Sequence, residues 1–410
     1  MAKIDRYDMI IAGGGFVGMT LALALAQLAP RGFCVALVDA EPPQRDNIDA
    51  RASALSAASK SLLSVLGIWP HLAAGAQAID SIEITDSALD AGRREHLLGF
   101  DDELRPGEAG ASMIENADLH RALSASLASE PAIEIIAPDS VTGFVSGAVD
   151  VAAALASGSE IRAQLLVAAD GRRSRLRDRA GIKCVGWTYA QIGIVTTVKH
   201  AKPHGGKAVQ HFLPAGPFAI LPLKGNRSSI VWTEDKATGE AIMAGDEENF
   251  VTELAKRFGH ELGTIALDGP RQSFPLALQM ARGFVADRLA LVGDAAHAVH
   301  PLAGQGLNIG FRDVAALTEI VVEGLRLGLD IGSPALLERY ERWRRFDSAL
   351  SATAMDGLNR LFSNDSVPLR SLRDLGLGIV DKTPWLKRLL VREAAGVGGN
   401  VPRLLKGERP

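Results

Sequence analysis

The chain has 410 residues, too many for one ordinary core and enough for two or three domains. Hydrophobic residues make up 47% and charged residues 22%, which excludes a disordered chain, and a net charge of -4 gives nothing that favours nucleic acid. Cys34 and Cys184 lie far apart and form no C-x-x-C pair, which excludes a dithiol-reductase motif, argues against zinc and fits a reducing compartment.

In chain order, Lys3 and Arg6 before the apolar run Met9 to Ala29 resemble a secretory signal. Asp5 and Asp8 in the charged stretch, glycines inside the apolar run and an immediate second strand favour a folded domain instead. No other stretch is long and clean enough to span a bilayer. Tyr7 to Ala12 reads as a buried strand, Gly13-Gly14-Gly15-Phe16-Val17-Gly18 as a glycine turn, and Met19 to Leu28 as a helix. Phe33 to Val38 is a second strand, ending at Asp39. A G-x-G-x-x-G string alone is weak, but strand, turn, helix, strand and acid together make a dinucleotide-binding βαβ unit. Gly13 allows the tight turn, Gly15 lets the backbone approach a pyrophosphate, and Gly18 lets the helix pack close to the sheet. The helix start offers free N–H groups and a positive dipole end to phosphates. Asp39 can accept from ribose hydroxyls and disfavours a 2′-phosphate, so FAD or NAD is expected rather than NADP. A nucleotide-free parallel sheet with a glycine-rich turn is the competing reading.

Ser81 to Phe100 and Ile133 to Leu155 alternate apolar and polar, as antiparallel strands do, with an amphipathic helix over Asn116 to Ser129. Gln164 to Ala169 is a buried strand running into Asp170-Gly171, at the end of a parallel strand where doubly wound sheets bind ligands. Arg172, Arg173, Arg175 and Arg177 follow, as ligand contacts or as a solvated helix face. Ile192 to Thr233 reads as a second antiparallel sheet, whose prolines mark edges and turns. Arg288 to Val292 is a strand ending at Gly293-Asp294, where Asp294 can hold a polyol. A second glycine loop holds Pro301, Gly304, Gln305, Gly306 and Asn308 and opens a long helix. His297 and His300 read as structural histidines, since no nucleophile stands by them. From about Pro334 the pattern is helical, and Leu369 to Leu390 mixes apolar with basic residues. That is either a packed cap or a basic amphipathic surface on a membrane.

Gly13 to Gly18, Asp170-Gly171 with Ser174 and Arg177, and Gly293-Asp294 occur in the order of three fingerprints. Together they resemble the FAD-dependent aromatic hydroxylases related to para-hydroxybenzoate hydroxylase. Asp49-Ala50-Arg51, Phe212 to Pro217, Ser273 to Leu276, His300 to Asn308 and Gly357 to Asp365 are similar to the ubiquinone-biosynthesis hydroxylases within that family.

The resemblance implies an α/β fold, with an FAD-binding Rossmann-like domain, an inserted antiparallel-sheet substrate domain and a helical C-terminus. The expected FAD-binding domain is discontinuous, over residues 1–80, 101–180 and 280–330. The substrate sheet takes 81–100 and 181–279, and the helical region 331–410. The glycine loop at Gly13, Gly15 and Gly18 is expected to bind the FAD pyrophosphate and Asp39 the adenosine ribose. Arg51 should lie near the phosphates or the flavin, Asp294 should hold the ribityl chain, and Asp170 should support FAD and the visiting nicotinamide. Gly304, Gly306 and Asn308 should approach the isoalloxazine ring, and Pro301 should line the place of oxygen transfer.

The implied activity is hydroxylation of a polyprenylated phenol, with NAD(P)H as transient co-substrate and oxygen, through a flavin hydroperoxide and without a metal. The implied location is cytoplasmic, with peripheral contact at the inner membrane face or in a ubiquinone-biosynthesis complex. A hydroxylase of a small soluble aromatic acid and a non-catalytic flavin-binding scaffold subunit stand as alternatives.

Overall fold

The computed structural model describes residues 6–42, 49–86, 89, 95–101, 103–105, 108–298, 305–345, 392 and 395–410. The first strand, Arg6–Ala12, buries Met9, Ile10 and Ile11 completely. Such a continuous apolar run suits a parallel strand covered on both faces. It leads through Gly13, at φ 114°, to the helix Phe16–Leu28 and on to the strand Val35–Val38. The helix keeps Leu21 to Leu25 fully buried, so it lies flat on the sheet.

The parallel strands run in the order Ile133–Ile136, Val35–Val38, Arg6–Ala12, Glu160–Ala168, Leu289–Leu291. By position in the chain this is third, second, first, fourth, fifth, the doubly wound arrangement. The order reverses between Arg6–Ala12 and Glu160–Ala168. Ligands bind beyond the carboxyl ends of the strands at such a reversal.

The antiparallel reading of Ile133 to Leu155 holds for the hairpin Val141–Ser146 with Val151–Leu155, which pairs onto Glu160–Ala163. It fails for Ile133–Ile136, which pairs parallel with Val35–Val38 at the edge of the sheet. An edge strand covered on one face alternates in the same way as an antiparallel one, so periodicity cannot separate them.

The second large sheet has nine strands among the described residues. Its longest, Cys184–His200, pairs antiparallel with Arg227–Asp235 and with Gln272–Ala281. Lys207–Leu213 and Gly216–Leu223 continue it, and Ser81–Asp86 joins parallel to Lys207–Phe212. The helices Lys236–Ala244 and Glu247–Phe258 cover one face, closing a core of Ile192, Ile194, Phe218, Trp232 and Phe250. The opposite face looks toward the carboxyl ends of the parallel sheet. A small sheet, Ala52–Ser56, Gln77–Ile79 and Ala111–Glu115, lies between the two.

Residues 334–345 are helical. Tyr340 and Arg344 from this helix are buried, with the Tyr340 hydroxyl donating to Leu291 O at 2.7 Å. This part is a cap packed on the parallel sheet. Leu369 to Leu390 and Gly357 to Asp365 lie outside the described residues.

Candidate active site

A cleft of about 540 Å³ opens where the parallel sheet reverses its order. One wall carries Gly15 to Gly18, Arg51, Arg172, Asp294 and Gly306. The other is the inner face of the large sheet, with Val195, Val231, Phe274, Pro275, Leu276 and Ala277.

The glycine loop is shaped by close approaches. A Cβ at Gly13 would strike the carbonyl of Ala169, and one at Gly18 the carbonyl of Gly13. Gly14, which the sequence reading passed over, lies against the Asp39 side chain, so a Cβ there would force that carboxylate to move. Gly15 differs: nothing lies within 4 Å of where its Cβ would stand. No side chain caps the helix that starts there, so its first N–H groups are left for the cleft. Asp39 closes the neighbouring strand, its N–H donating to Ile136 O at 3.1 Å.

Arg51 is held in a fork. Its Nε donates to Asp49 Oδ1 at 2.8 Å and its Nη2 to Asp49 Oδ2 at 2.7 Å. Asn116 Nδ2 donates to the same carboxylate at 2.8 Å, and Ser53 Oγ to Asn116 Oδ1 at 2.7 Å. Burial pushes the Asp49 carboxyl up, but the Arg51 and Asn116 bonds and the Arg51 charge outweigh it and hold it below its ordinary value. The bond to Asp49 raises Arg51 in turn, and the charge of Asp294 adds to that. The guanidinium carbon stands 5.8 Å from the centre of the Phe274 ring, across the cleft mouth.

Asp170 faces the short helix Arg175–Arg179. Its Oδ2 accepts from the N–H of Arg175 at 3.0 Å, while Oδ1 is buried without a partner. Its neighbours Gly171 and Arg172 line the cleft, and Asp170 itself stands behind them. Arg177 resolves the two readings of the arginine run differently from Arg172. It is buried, and its Nη1 donates to Arg172 O at 3.1 Å and Ala295 O at 3.2 Å. It therefore ties the Asp170 loop to the Asp294 loop, and its role is internal bracing.

Asp294 is presented on a tight turn, Gly293–Ala295, with Gly293 at φ 59°. Its side chain is open to the cleft while protein encloses it elsewhere. That enclosure pushes its carboxyl above the ordinary value; the charges of His297, Arg172 and Arg51 pull against it, and Asp313 adds to it. Water reaching the open side moderates the push. His297 is a structural histidine, buried and bonded through Nε2 to Asp313 Oδ2 at 2.6 Å.

Gly306 and Leu307 reach the cleft at the start of the helix Gln305–Arg326. Asn308 does not line it. Its carboxamide donates to Ala54 O at 2.8 Å and accepts from Ser56 N at 2.9 Å and Ser59 Oγ at 2.7 Å. It clamps the helix to the strand Ala52–Ser56. Pro301, Gly304 and His300 lie outside the described residues.

The sequence reading missed Asp313, and it gave Asp49, Asn116 and Phe274 no role of their own. Asp49 and Phe274 stand in stretches quoted for the family resemblance, and that is the one signal that could have found them. Asn116 and Asp313 carry no local signal, because their partners are distant in the chain.

Residues 6–351 match the FAD binding domain family. The chain belongs to that family. As a member of it, the chain binds FAD, with NAD(P)H as the family's co-substrate. It is similar to the ubiquinone hydroxylase UbiL of Rhodospirillum rubrum, 45% identical over 98% of this chain and 92% of that protein. It is also similar to the 3-demethoxyubiquinol 3-hydroxylase of Escherichia coli, at 36% identity over 95% of this chain and 98% of that one. The crystal structure of the p-nitrophenol 4-monooxygenase PnpA from Pseudomonas putida shares the fold. Its TM-score is 0.78 at 20% identity, covering 97% of this chain and 100% of that one. The cleft fits FAD on its own terms. The open side of Gly15 and the uncapped helix start are what a bound dinucleotide would use.

Proposed function

We propose that this chain is an FAD-dependent monooxygenase that hydroxylates the aromatic ring of a polyprenylated phenol in ubiquinone biosynthesis, using NAD(P)H and oxygen. The observation that carries the substrate class is the sheet-side wall of the cleft. Val195, Val231, Phe274, Pro275, Leu276 and Ala277 make it apolar, while the described cations of the lining are Arg172 and Arg51, and Arg51, which faces Phe274, already has the Asp49 carboxylate as its partner. A soluble aromatic acid needs a cation for its carboxylate, and a buried carboxylate without one is costly. A prenylated phenol needs apolar surface. The names of the R. rubrum and E. coli relatives support the same class.

FAD supplies the redox chemistry when bound, taking hydride from reduced nicotinamide and activating oxygen. The protein's part is to bind, orient and keep water out. Gly15 and the helix start at Phe16 hold the pyrophosphate through backbone N–H groups. Asp39 takes the adenosine ribose, and Asp294 the ribityl hydroxyls. Arg51, locked by Asp49, sets positive charge beside Asp294. Gly13 and Gly18 keep the turn tight behind the phosphates, Gly306 gives the backbone close access to the ring system, and the family resemblance assigns Gly304 to the same approach. Asp170 supports the loop carrying Gly171 and Arg172, and Asn308 anchors the helix behind Gly306. The family resemblance assigns Pro301 to the place of oxygen transfer. The apolar wall stacks the phenol and limits water, which suppresses wasted reduction of oxygen.

A substrate drawn from lipid also supports peripheral contact with the inner face of a membrane, or assembly with other ubiquinone-biosynthesis enzymes. No helix among the described residues is long and apolar enough to cross a membrane.

The deciding experiment gives FAD-loaded protein NADH or NADPH, oxygen and a short-chain prenylphenol, and reads products by mass. Gain of one oxygen is expected, and assigning its position gives the regiochemistry. Turnover of a soluble benzoate with no prenylphenol product would overturn the substrate class. Bound FAD with no substrate-stimulated nicotinamide oxidation would point to a scaffold subunit.

A further inference from the structure

The turn that carries Asp294 into the cleft is held by a carboxylate that never reaches the cleft. Asp313 comes from the middle of the helix Gln305–Arg326 and is fully buried. Its Oδ2 accepts from the N–H of Gly293 at 2.8 Å and from His297 Nε2 at 2.6 Å. Its Oδ1 accepts from Arg344 Nε at 2.7 Å. Gly293 and His297 bracket Asp294, and Arg344 belongs to the helix at 334–345, behind the sheet. His297 and Arg344 are themselves 2% and 1% exposed, so solvent does not weaken these bonds.

Burying a carboxylate, an imidazole and a guanidinium together is a poor way to gain stability, since apolar residues of similar volume often do as well or better. A fully satisfied charged network does fix one geometry. Here the geometry fixed is that of Gly293 and His297, and so of the carboxylate between them.

We propose that Asp313 is the positioning residue of the flavin-binding turn. It sets Asp294 for the cofactor, and through Arg344 it couples that turn to the helix at 334–345, so that a disturbance of the helix changes FAD binding. This rests on FAD occupying the cleft and is independent of which phenol is hydroxylated.

The test is FAD titration of apoprotein by flavin fluorescence, with apoprotein melting and the midpoint potential of bound flavin as companions. Asp313→Asn is expected to keep a cooperative melt, to weaken FAD about tenfold or more and to shift the potential. Arg344→Gln, remote from the cleft, is expected to weaken FAD about three- to tenfold, with Arg344→Lys recovering most of it. Asp294→Ala combined with Asp313→Asn should weaken FAD little more than the worse single change, because both act on one contact. Additive losses would overturn the proposal. So would variants that melt earlier yet bind FAD with unchanged affinity and potential. Should Asp313→Asn fail to fold, the Arg344 pair decides by the same readouts.

Discussion

Gly15→Ala separates binding from folding. Gly15 sits at φ -73° and ψ 176°, which any residue adopts, and nothing lies within 4 Å of the added methyl. Replacing Gly by Ala at a compatible backbone stabilises by about 0.4–1 kcal/mol through the unfolded chain. Alanine is a poorer helix N-cap than glycine by a comparable amount, up to about 1 kcal/mol. The two nearly cancel, so the apoprotein should melt within a few degrees of the parent, about 2–4 °C per kcal/mol or less for a chain this long. In the proposed site the methyl would stand where the pyrophosphate meets the backbone. Losing that approach should weaken FAD at least tenfold, or about 1.4 kcal/mol. Gly18→Ala is the contrast: its methyl lands on the carbonyl of Gly13, which is backbone and cannot step aside. Overpacking of this kind costs about 1–3 kcal/mol, so both melting temperature and FAD affinity should fall. Differential scanning calorimetry of the apoproteins and flavin titration measure the two quantities. A Gly15→Ala protein that binds FAD like the parent would refute the reasoning, and so would one that fails to fold.

The remaining expectations use the charged groups. Asp294 has a raised carboxyl in the folded apoprotein, so its contribution is most favourable below the ordinary carboxylate value and is lost as pH rises through the folded value. Asp294→Asn should therefore raise the apoprotein melting temperature at pH 7, with the gain fading toward about pH 4, while FAD binding weakens. Asp268 and Asp330 are lowered, so they stabilise above the ordinary value and that stability is lost as pH falls through their folded values. Urea midpoints measured below about pH 4 should drop accordingly, and a flat profile there would contradict the pairings. Asp49→Asn should weaken FAD about three- to tenfold with little effect on melting, because Arg51 is 46% exposed and exposed ion pairs add little stability. In the large sheet, Glu234 accepts from Arg257 at 2.7 Å and from Trp232 Nε1 at 3.0 Å, all three buried. Glu234→Gln removes one of the two carboxylates described beside Arg257, leaving Glu253, and should cost about 3 kcal/mol in urea denaturation, without a direct effect on FAD.

Local patterns in the sequence determined the first βαβ unit, with its glycine turn and the acid at Asp39, because each piece depends on residues a few positions away. The same holds for the buried strand before Gly293-Asp294 and for the structural reading of His297. Several features depended on tertiary structure. Whether Ile133–Ile136 ran parallel was set by its neighbour Val35–Val38, almost a hundred positions earlier by their numbering. The arginine run read as one charged stretch, yet Arg172 lines the cleft and Arg177 braces two loops from within. Asn308 resembled a flavin neighbour in its motif, and packing turned its carboxamide to Ala54 and Ser56. Asp313 carried no local signal, because Gly293, His297 and Arg344 meet it only when the long helix crosses the sheet. Spacing along the chain fixes local backbone geometry and therefore the phosphate-binding turn. The partners of a buried charge come from whatever elements the fold packs around it, and so the bracing behind the cofactor site was decided by the tertiary structure.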